Sequence, residues 1–473
     1  MTSASPVRNV AVIDIGKTNA KVIIYDLEAR AETGRRARAN AVIRRAPYPH
    51  HDVDGLFAFI LNSLEQLNGE CGIDAISITT HGATVALVDG EGGLALPVLD
   101  YEHDGPDEMK ARYDAIRPPF SVTGSPRLVA GLNIGAQLFW QRTSFPTAFA
   151  RTEHVITYPQ YWGFRLTGVV ASEVTSWGCH SDLWAPQLGT FSPLVAALGL
   201  TGRMAPLKAA ADILGPVGGE IAAQTGLSPD CPVYCGLHDS NASLLPHLKS
   251  LAAPFSVVST GTWVIAMAVG SAVPSLDEAR DTLINVNALG DPVPSARFMG
   301  GRVFEVAAPK GAVIEPADRR DALEQDIMLL PSVIGDTGPY QGRAGGWNMP
   351  EEALTPGVRL LTLSWYLALM TAECLALTGA EGPVVVEGPF AQNRDYLEML
   401  AAATGRPVEK SRGSGTSVGA AGLVSQASPS ARFEDDPLTG LAPALYTYAA
   451  EWKRRVDDGD MGFSPVEYRQ RRW

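Results

Sequence analysis

Cysteine is scarce in this 473-residue chain: five in all, at Cys71, Cys179, Cys231, Cys235 and Cys374. An odd, scattered set argues against a disulfide framework and predicts reduced thiols in a cytoplasmic protein. Cys231 and Cys235 have the spacing of half a metal site, but no second pair completes it, which argues against structural zinc. Long apolar runs are also lacking. The longest, Leu360 to Leu377, is interrupted by Thr362, Ser364, Thr371 and Glu373. It predicts a buried core helix, so no membrane partner is expected. Residues Met1 to Arg8 lack the basic-then-apolar pattern of a secretory leader. Positive charge is in deficit, with 38 Lys and Arg against 51 Asp and Glu and a net charge of −13. That balance repels a nucleic-acid backbone, so no nucleic-acid partner is expected. The basic stretch Arg30, Arg35, Arg36, Arg38, Arg44 and Arg45 predicts a solvated hairpin or loop. Finally, Gly16-Lys17-Thr18 is not the end of a P-loop, because that motif needs glycine at position 11, which is Ala11.

What is present is an ordinary globular balance, 46% apolar and 19% charged, in a chain long enough for two large domains. The run Val7 to Ile15 reads as a strand and Lys21 to Tyr25 as its hairpin partner, with the turn at Gly16 to Asn19. Asp74 to Thr80 is a second strand ending at His81-Gly82, and Ala83 to Val88 continues extended to a turn at Asp89-Gly90. The region 131–168 predicts helix, and Gly199 to Leu227 predicts loop with short helices. Pro232 to Gly236 is a strand that delivers His238 and Asp239. Phe255 to Trp263 repeats the strand-turn grammar of the N-terminus, which suggests two related halves, 1–245 and 246–473. Pro383 to Glu387 is a later strand, followed by a helix from Asn393 to Thr404. Gly413 to Gly422 predicts a loop entering a small-residue helix. The loop 339–347 is rich in Gly and aromatics and reads as a lid or a surface loop. One carboxylate, Asp239, close in sequence to hydroxyl-rich turns is what phosphoryl transfer to an alcohol needs: a base for the alcohol and a cradle for the phosphate. Asp239 also reads as a helix N-cap, since Ser240-Asn241-Ala242 follows.

Four motifs in order carry a resemblance: Asp14-x-Gly16-x-Thr18, Gly236-x-x-Asp239, Ser259-Thr260-Gly261-Thr262, and Val384 to Gly388 with Asn393. Together they resemble the FGGY carbohydrate kinases, most closely the kinases of L-rhamnulose and L-fuculose, where His238-Asp239 and Gly261-Thr262-Trp263 also fit. The resemblance implies an α/β fold of two actin-like (ribonuclease H-like) ATPase domains flanking a catalytic cleft, the first for sugar and the second for nucleotide. It implies ATP and Mg²⁺ as cofactors and a small-molecule sugar substrate, and it allows a homodimer. The implied reaction phosphorylates a 6-deoxyketohexose at O1. A pentulose or other small ketose or polyol is the alternative substrate, and a non-catalytic actin-like nucleotide-binding protein is the rival class.

The resemblance also distributes roles. Asp239 is the general base. His238, His81, Gly82, Glu102, Trp177 and His180 face the sugar, with Asp100, His103 and Asp104 as neighbours able to replace Glu102. Core packing is the other reading of Trp177. Gly16, Lys17, Thr18, Asn19, Thr260, Gly261 and Thr262 meet the phosphates, and Asp14 meets hydrated Mg²⁺. Gly388 and Asn393 border adenine and ribose, with Gly415 and Thr416 adding to that pocket. Helix capping is the other reading of Asn393. Three positions depart from the family pattern: Lys17 replaces a common threonine, Pro389 a common glycine, and Gly415-Thr416-Ser417 a segment that often carries glutamate.

Overall fold

The computed structural model describes residues 7–412, 415–425, 432–433, 441–460, 462 and 464–465. Met1 to Pro6 of the leader expectation, and Gly413 and Ser414 of the expected loop, lie outside the described residues. Contacts divide the chain into two compact units. Unit 1 runs through Ser250 and also takes in Ile284–Pro292 and Gly413–Ala431; unit 2 is the remainder. Unit 1's first segment runs five residues past position 245, to the end of a helix at Ser250.

Unit 1 begins with the expected hairpin, β1 (Asn9–Ile15) and β2 (Asn19–Asp26), followed by β3 (Ala31–Ala39). The arginines of β3 lie on a largely exposed strand, where Arg36 meets Glu70 and Arg38 meets Asp52, as a solvated hairpin should. Helix α1 (Val53–Cys71) starts where Asp52 accepts from the Gly55 amide at 3.0 Å. Next come β4 (Ala75–Thr80) and β5 (Val85–Asp89). Region 131–168 is not continuous helix. Helices α2 (Ile134–Ser144) and α3 (Tyr158–Thr167) enclose a strand, β6 (Thr152–Thr157), which pairs antiparallel with β5. Its β-branched Thr152, Val155, Ile156 and Thr157 favour a pleated strand over helix once a partner edge is available. Likewise 199–227 contains a strand, β7 (Ile213–Pro216), paired with β8 (Pro232–Tyr234). After β9 (Leu237–His238), helix α4 (Asp239–Ser250) closes the first long segment.

The sheet order is β7-β8-β4-β1-β2-β3, with β9 also on β4. β1 runs parallel to β4, as do β8 and β9. Ile15 thus stands opposite Thr80, and His238 opposite Thr80 from the other side. The carboxyl ends of three parallel strands open onto one edge, the usual place for a ligand in an open α/β sheet.

Unit 2 repeats the grammar. The hairpin β10 (Phe255–Thr260) and β11 (Val264–Val269) is flanked by β12 (Pro292–Phe298), and helix α5 (Gly300–Ala307) follows. Helix α6 (Pro356–Leu377) precedes β13 (Val384–Glu387), which pairs parallel with β10, and after α7 (Arg394–Thr404) comes β14 (Val408–Arg412), parallel to β13. α6 is the one helix among the described residues long and apolar enough to cross a membrane, yet 78% of that window is buried. It is a core helix, packed around Trp365, Tyr366 and Leu369. The 339–347 loop is no free flap, since Tyr340 and Trp347 are buried in the same core.

The chain then returns to unit 1 as α8 (Thr416–Gly422). β1 shows why this helix is required. Val10, Ala11, Val12 and Ile13 are all fully buried. Alternate strand residues point to opposite faces. Ala11 and Ile13 pack with Leu56, Ile60 and Leu64 of α1, whereas Val10 and Val12 pack with Ala420 and Ala421 of α8. A strand apolar on both faces needs a helix on each.

Candidate active site

Two strand ends supply the heart of the unit 1 site. β4 leads directly into His81, which is 6% exposed. Its Nδ1 lies 3.0 Å from the Gly82 carbonyl, so that nitrogen donates. Its Nε2 has no hydrogen-bond partner among the described residues. The ring sits among His51, Tyr158 and Tyr101, with centroids 5.1, 5.1 and 5.4 Å away. Burial holds His81 below the ordinary imidazole range, and so neutral. β9 ends at His238, whose ring lies against Gly82. A Cβ at Gly82 would come within 2.7 Å of His238 Nε2, so the missing side chain makes room for the imidazole. Burial pushes His238 down to about 4.

Asp239 follows at the first position of α4. Its Oδ1 accepts from the Ser240 amide at 2.7 Å and lies 3.2 Å from His238 Nε2. Its side chain keeps 29% exposure. Desolvation raises its pKa to about 6, opposed by His81 and the Ser240 amide and assisted by Asp14. A carboxylate with that pKa is ionised at neutral pH yet basic enough to take a proton. A buried polar frame holds the segment from below. The Thr175 hydroxyl accepts from the His238 amide at 3.0 Å and donates to Glu173. Gln160 Nε2 donates to the carbonyls of Cys235 and Gly236 at 2.8 and 3.0 Å. Burial lifts Glu173 to about 8, so it stays protonated at neutral pH. Glu173 is not signalled by any local motif.

The first hairpin turn meets this cluster. Asp14, 4% exposed, is the register partner of Lys21 and lies 3.2 Å from its ammonium. The Thr416 hydroxyl donates to the same Asp14 oxygen at 3.1 Å. Thr416, expected beside adenine, thus stands with its hydroxyl on the Asp14 carboxylate of unit 1. Gly16, Thr18 and Asn19 shape the turn, with the Gly16 amide on the Asn19 carbonyl at 2.9 Å and Thr18 and Asn19 exposed. Lys17 turns away from them. Its ammonium pairs with the buried Asp100, lies 3.3 Å from Glu102, and sits 4.4 Å over the Tyr101 ring. Among the described residues no group of three or more His, Cys, Asp or Glu forms a metal cluster. Mg²⁺ needs none, since it keeps most of its waters and takes one or two carboxylates, so Asp14 fits a water-mediated hold.

One expected sugar contact, Trp177, is core. Trp177 is fully buried and packs edge-on against Phe191, so it belongs to the hydrophobic core and offers no stacking face. His180 Nδ1 is on the Leu132 carbonyl at 2.8 Å. Its neighbour Cys179, not singled out for this role, reaches within 4.0 Å of His238 Nε2.

In unit 2, Gly261 and Thr262 are exposed at the β10–β11 turn, and the Thr262 carbonyl meets the Arg302 amide of α5 at 3.4 Å. The Thr260 hydroxyl is not available to a phosphate. It donates to the Glu387 carbonyl at 2.6 Å and accepts from the Phe390 amide at 3.1 Å. Gly388 has φ +84, and a Cβ there would fall 2.0 Å from the Thr260 carbonyl. This close backbone approach alone requires glycine. Asn393 caps α7: its Oδ1 accepts from the Tyr396 amide at 3.1 Å and its Nδ2 donates to Ser364 at 3.0 Å. The capping reading holds, and both ends of this side chain are committed to protein.

Comparison with known proteins fits this geometry. Residues 10–246 match the model of the FGGY family of carbohydrate kinases, N-terminal domain, and residues 252–432 match carbohydrate kinase FGGY, C-terminal domain. The structure of a carbohydrate kinase from Novosphingobium aromaticivorans is 36% identical, with TM-score 0.88 over 96% of this chain and 100% of that one. A xylulose kinase from Lactobacillus acidophilus shares the fold at 15% identity, with TM-score 0.77 over 96% of this chain and 99% of that one. The L-fuculokinase of Escherichia coli K12 is 27% identical over 274 residues, 54% of this chain and 56% of that protein. The match thus spans about half the length of each. The two units have the actin-like, ribonuclease H-like α/β architecture of these neighbours, and the chain belongs to the FGGY family of carbohydrate kinases.

Proposed function

We propose that this protein transfers the γ-phosphoryl group of ATP to a hydroxyl of a ketose, with L-fuculose the first candidate and O1 the acceptor. The carrying observation is Asp239, an ionised carboxylate of raised basicity standing beside His238 and His81 at the open ends of β4 and β9. A sugar hydroxyl has too high a pKa to ionise unaided. Asp239 accepts its proton late, as the phosphoryl group arrives. His81 Nε2 and Glu102 accept from further hydroxyls. In unit 1 the exposed Thr18 and Asn19 donate to phosphate oxygens, and in unit 2 the exposed Thr262 serves the nucleotide. Asp14 would hold hydrated Mg²⁺ through its waters, and the ion would supply positive charge to phosphate oxygens. Unit 1 serves the sugar and unit 2 the nucleotide. The half-length match to L-fuculokinases and the His238-Asp239 pair support the choice of sugar.

A panel of ketoses with ATP and Mg²⁺ tests the reading. Phosphorylation of L-fuculose or L-rhamnulose at the primary carbon, read by ³¹P and ¹³C NMR, is expected. Turnover confined to aldoses or glycerol contradicts the ketose assignment, and no sugar-dependent ADP release contradicts the kinase.

A further inference from the structure

We infer that Lys17 is a positioning residue of the sugar end of unit 1: it ties Tyr101 and the two carboxylates beside it to the first hairpin turn, so its loss is felt by the sugar and not by MgATP. The inference rests on the kinase reading and adds to it a residue that departs from the family's common threonine. Two independent features carry it. The first is where the side chain goes. It engages three consecutive residues at once. Its ammonium pairs with the buried Asp100, lies 3.3 Å from Glu102, and stands 4.4 Å over the Tyr101 ring. A cation over an aromatic face is attracted by the ring quadrupole, more strongly where water is excluded. Here the Lys17 side chain is 18% exposed and that of Asp100 2%. Tyr101 in turn sets its ring edge-on to His81, at 5.4 Å and 72°. Next to His81 is Gly82, against which His238 packs, and His238 stands 3.2 Å from Asp239. The contacts that start at Lys17 thus end at the base. Burial holds His81 and His51 neutral, and the Lys17 charge acts in the same direction.

The second feature is that the backbone on both sides is held without this lysine. In the turn, the Gly16 amide donates to the Asn19 carbonyl at 2.9 Å, Asn40 Nδ2 to the Gly16 carbonyl at 2.8 Å, and the Asn40 amide to the Thr18 carbonyl at 2.9 Å. In the facing segment, the Asp100 amide donates to the Pro49 carbonyl at 3.0 Å and the Gly131 amide to the Tyr101 carbonyl at 2.8 Å. What these bonds leave to Lys17 is the placing of side chains, above all the Tyr101 ring and its hydroxyl. Burial first, then Glu102, Asp239 and Asp100, raises the Tyr101 phenol, so it stays protonated and able to donate. An ammonium engaged with two carboxylates and a ring must break those contacts to reach a phosphate, whereas Thr18 and Asn19 keep their places in the turn whatever stands at 17.

Calorimetric titration without nucleotide, using the ketose of the panel that binds most tightly, and steady-state kinetics with MgATP test this on three variants. Lys17→Met keeps the apolar stem. It is expected to raise Kd and KM for the sugar about tenfold, with KM for MgATP within about twofold of wild type. Because it leaves Asp100 buried without its cation, the double variant Lys17→Met with Asp100→Asn is measured beside it. That variant removes both charges and keeps an oxygen for the Glu102 amide, and the same split is expected. Lys17→Arg, a cation able both to pair and to stack, is expected to hold the sugar Kd within about threefold of wild type. A raised KM for MgATP with unchanged sugar Kd makes Lys17 a phosphate ligand and overturns the inference. Equal losses for both substrates that Lys17→Arg does not restore mean a purely structural role and overturn it too. Wild-type enzyme that binds the ketose without releasing ADP contradicts the kinase reading alone, since the titration still reads what Lys17 does.

Discussion

Asp239→Asn is expected to lower sugar-dependent ADP release by about a thousandfold while leaving the fold and sugar binding in place. Asparagine is isosteric and keeps an oxygen for the Ser240 amide, so the start of α4 survives. What disappears is the proton acceptor. General-base contributions run at about 10²–10⁴-fold, and the sugar has no second carboxylate so placed, because Asp14 is paired with Lys21 and Asp100 with Lys17. Steady-state ADP release with and without sugar measures it. A variant within tenfold of wild type would mean that Asp239 only caps a helix.

Gly419→Ala is expected to unfold unit 1 or disable it. A Cβ at 419 would lie 1.6 Å from the Ala242 carbonyl, so α8 and α4 touch backbone to backbone. Neither side can give, since the neighbour is main chain inside a helix. Separating the helices costs about 3 kcal/mol or more. The damage is functional as well as structural. α4 begins at Asp239, α8 begins at Thr416, and Thr416 donates to Asp14. Thermal unfolding should show a fall in Tm of several degrees, with activity lost in parallel. Gly69→Ala is the control. No atom lies within 4 Å of a Cβ there, and alanine is the better helix former by roughly 1 kcal/mol, so Tm should hold or rise. Equal Tm values for Gly419→Ala and wild type would contradict the packing.

The sequence disclosed what is local. Both hairpins were legible because each joins short runs rich in β-branched apolar residues through a Gly turn, and Asp14, Gly16, Asp239 and Gly388 stood where strands end. The missing pieces are long-range. β6 was hidden because six residues between two helical segments show no periodicity of their own, and only the edge of β5 makes them a strand. The membership of α8 in unit 1 depends on β1 being apolar on both faces, a hint in Val10 to Ile13 whose partner is some four hundred residues away. Lys17 reads as a phosphate ligand beside Gly16 and Thr18, yet it reaches across 83 residues of sequence to Asp100. Thr260 and Asn393 fit their motifs, but their side chains hold the framework: Thr260 pins the end of β13, and Asn393 caps α7. Trp177 looks like a sugar platform in one dimension and is core in three.

The central claim is that one carboxylate of raised pKa takes the proton of the sugar. The pH dependence of kcat/KM for the sugar, at saturating MgATP, tests it most directly. Desolvation raises Asp239 from the ordinary 3.8 to about 6, so the basic form is lost as pH falls through that value. The profile should bend near pH 6 and fall tenfold per unit below it, on the pH range where circular dichroism shows folded protein. A profile flat down to pH 4.5 would contradict the account.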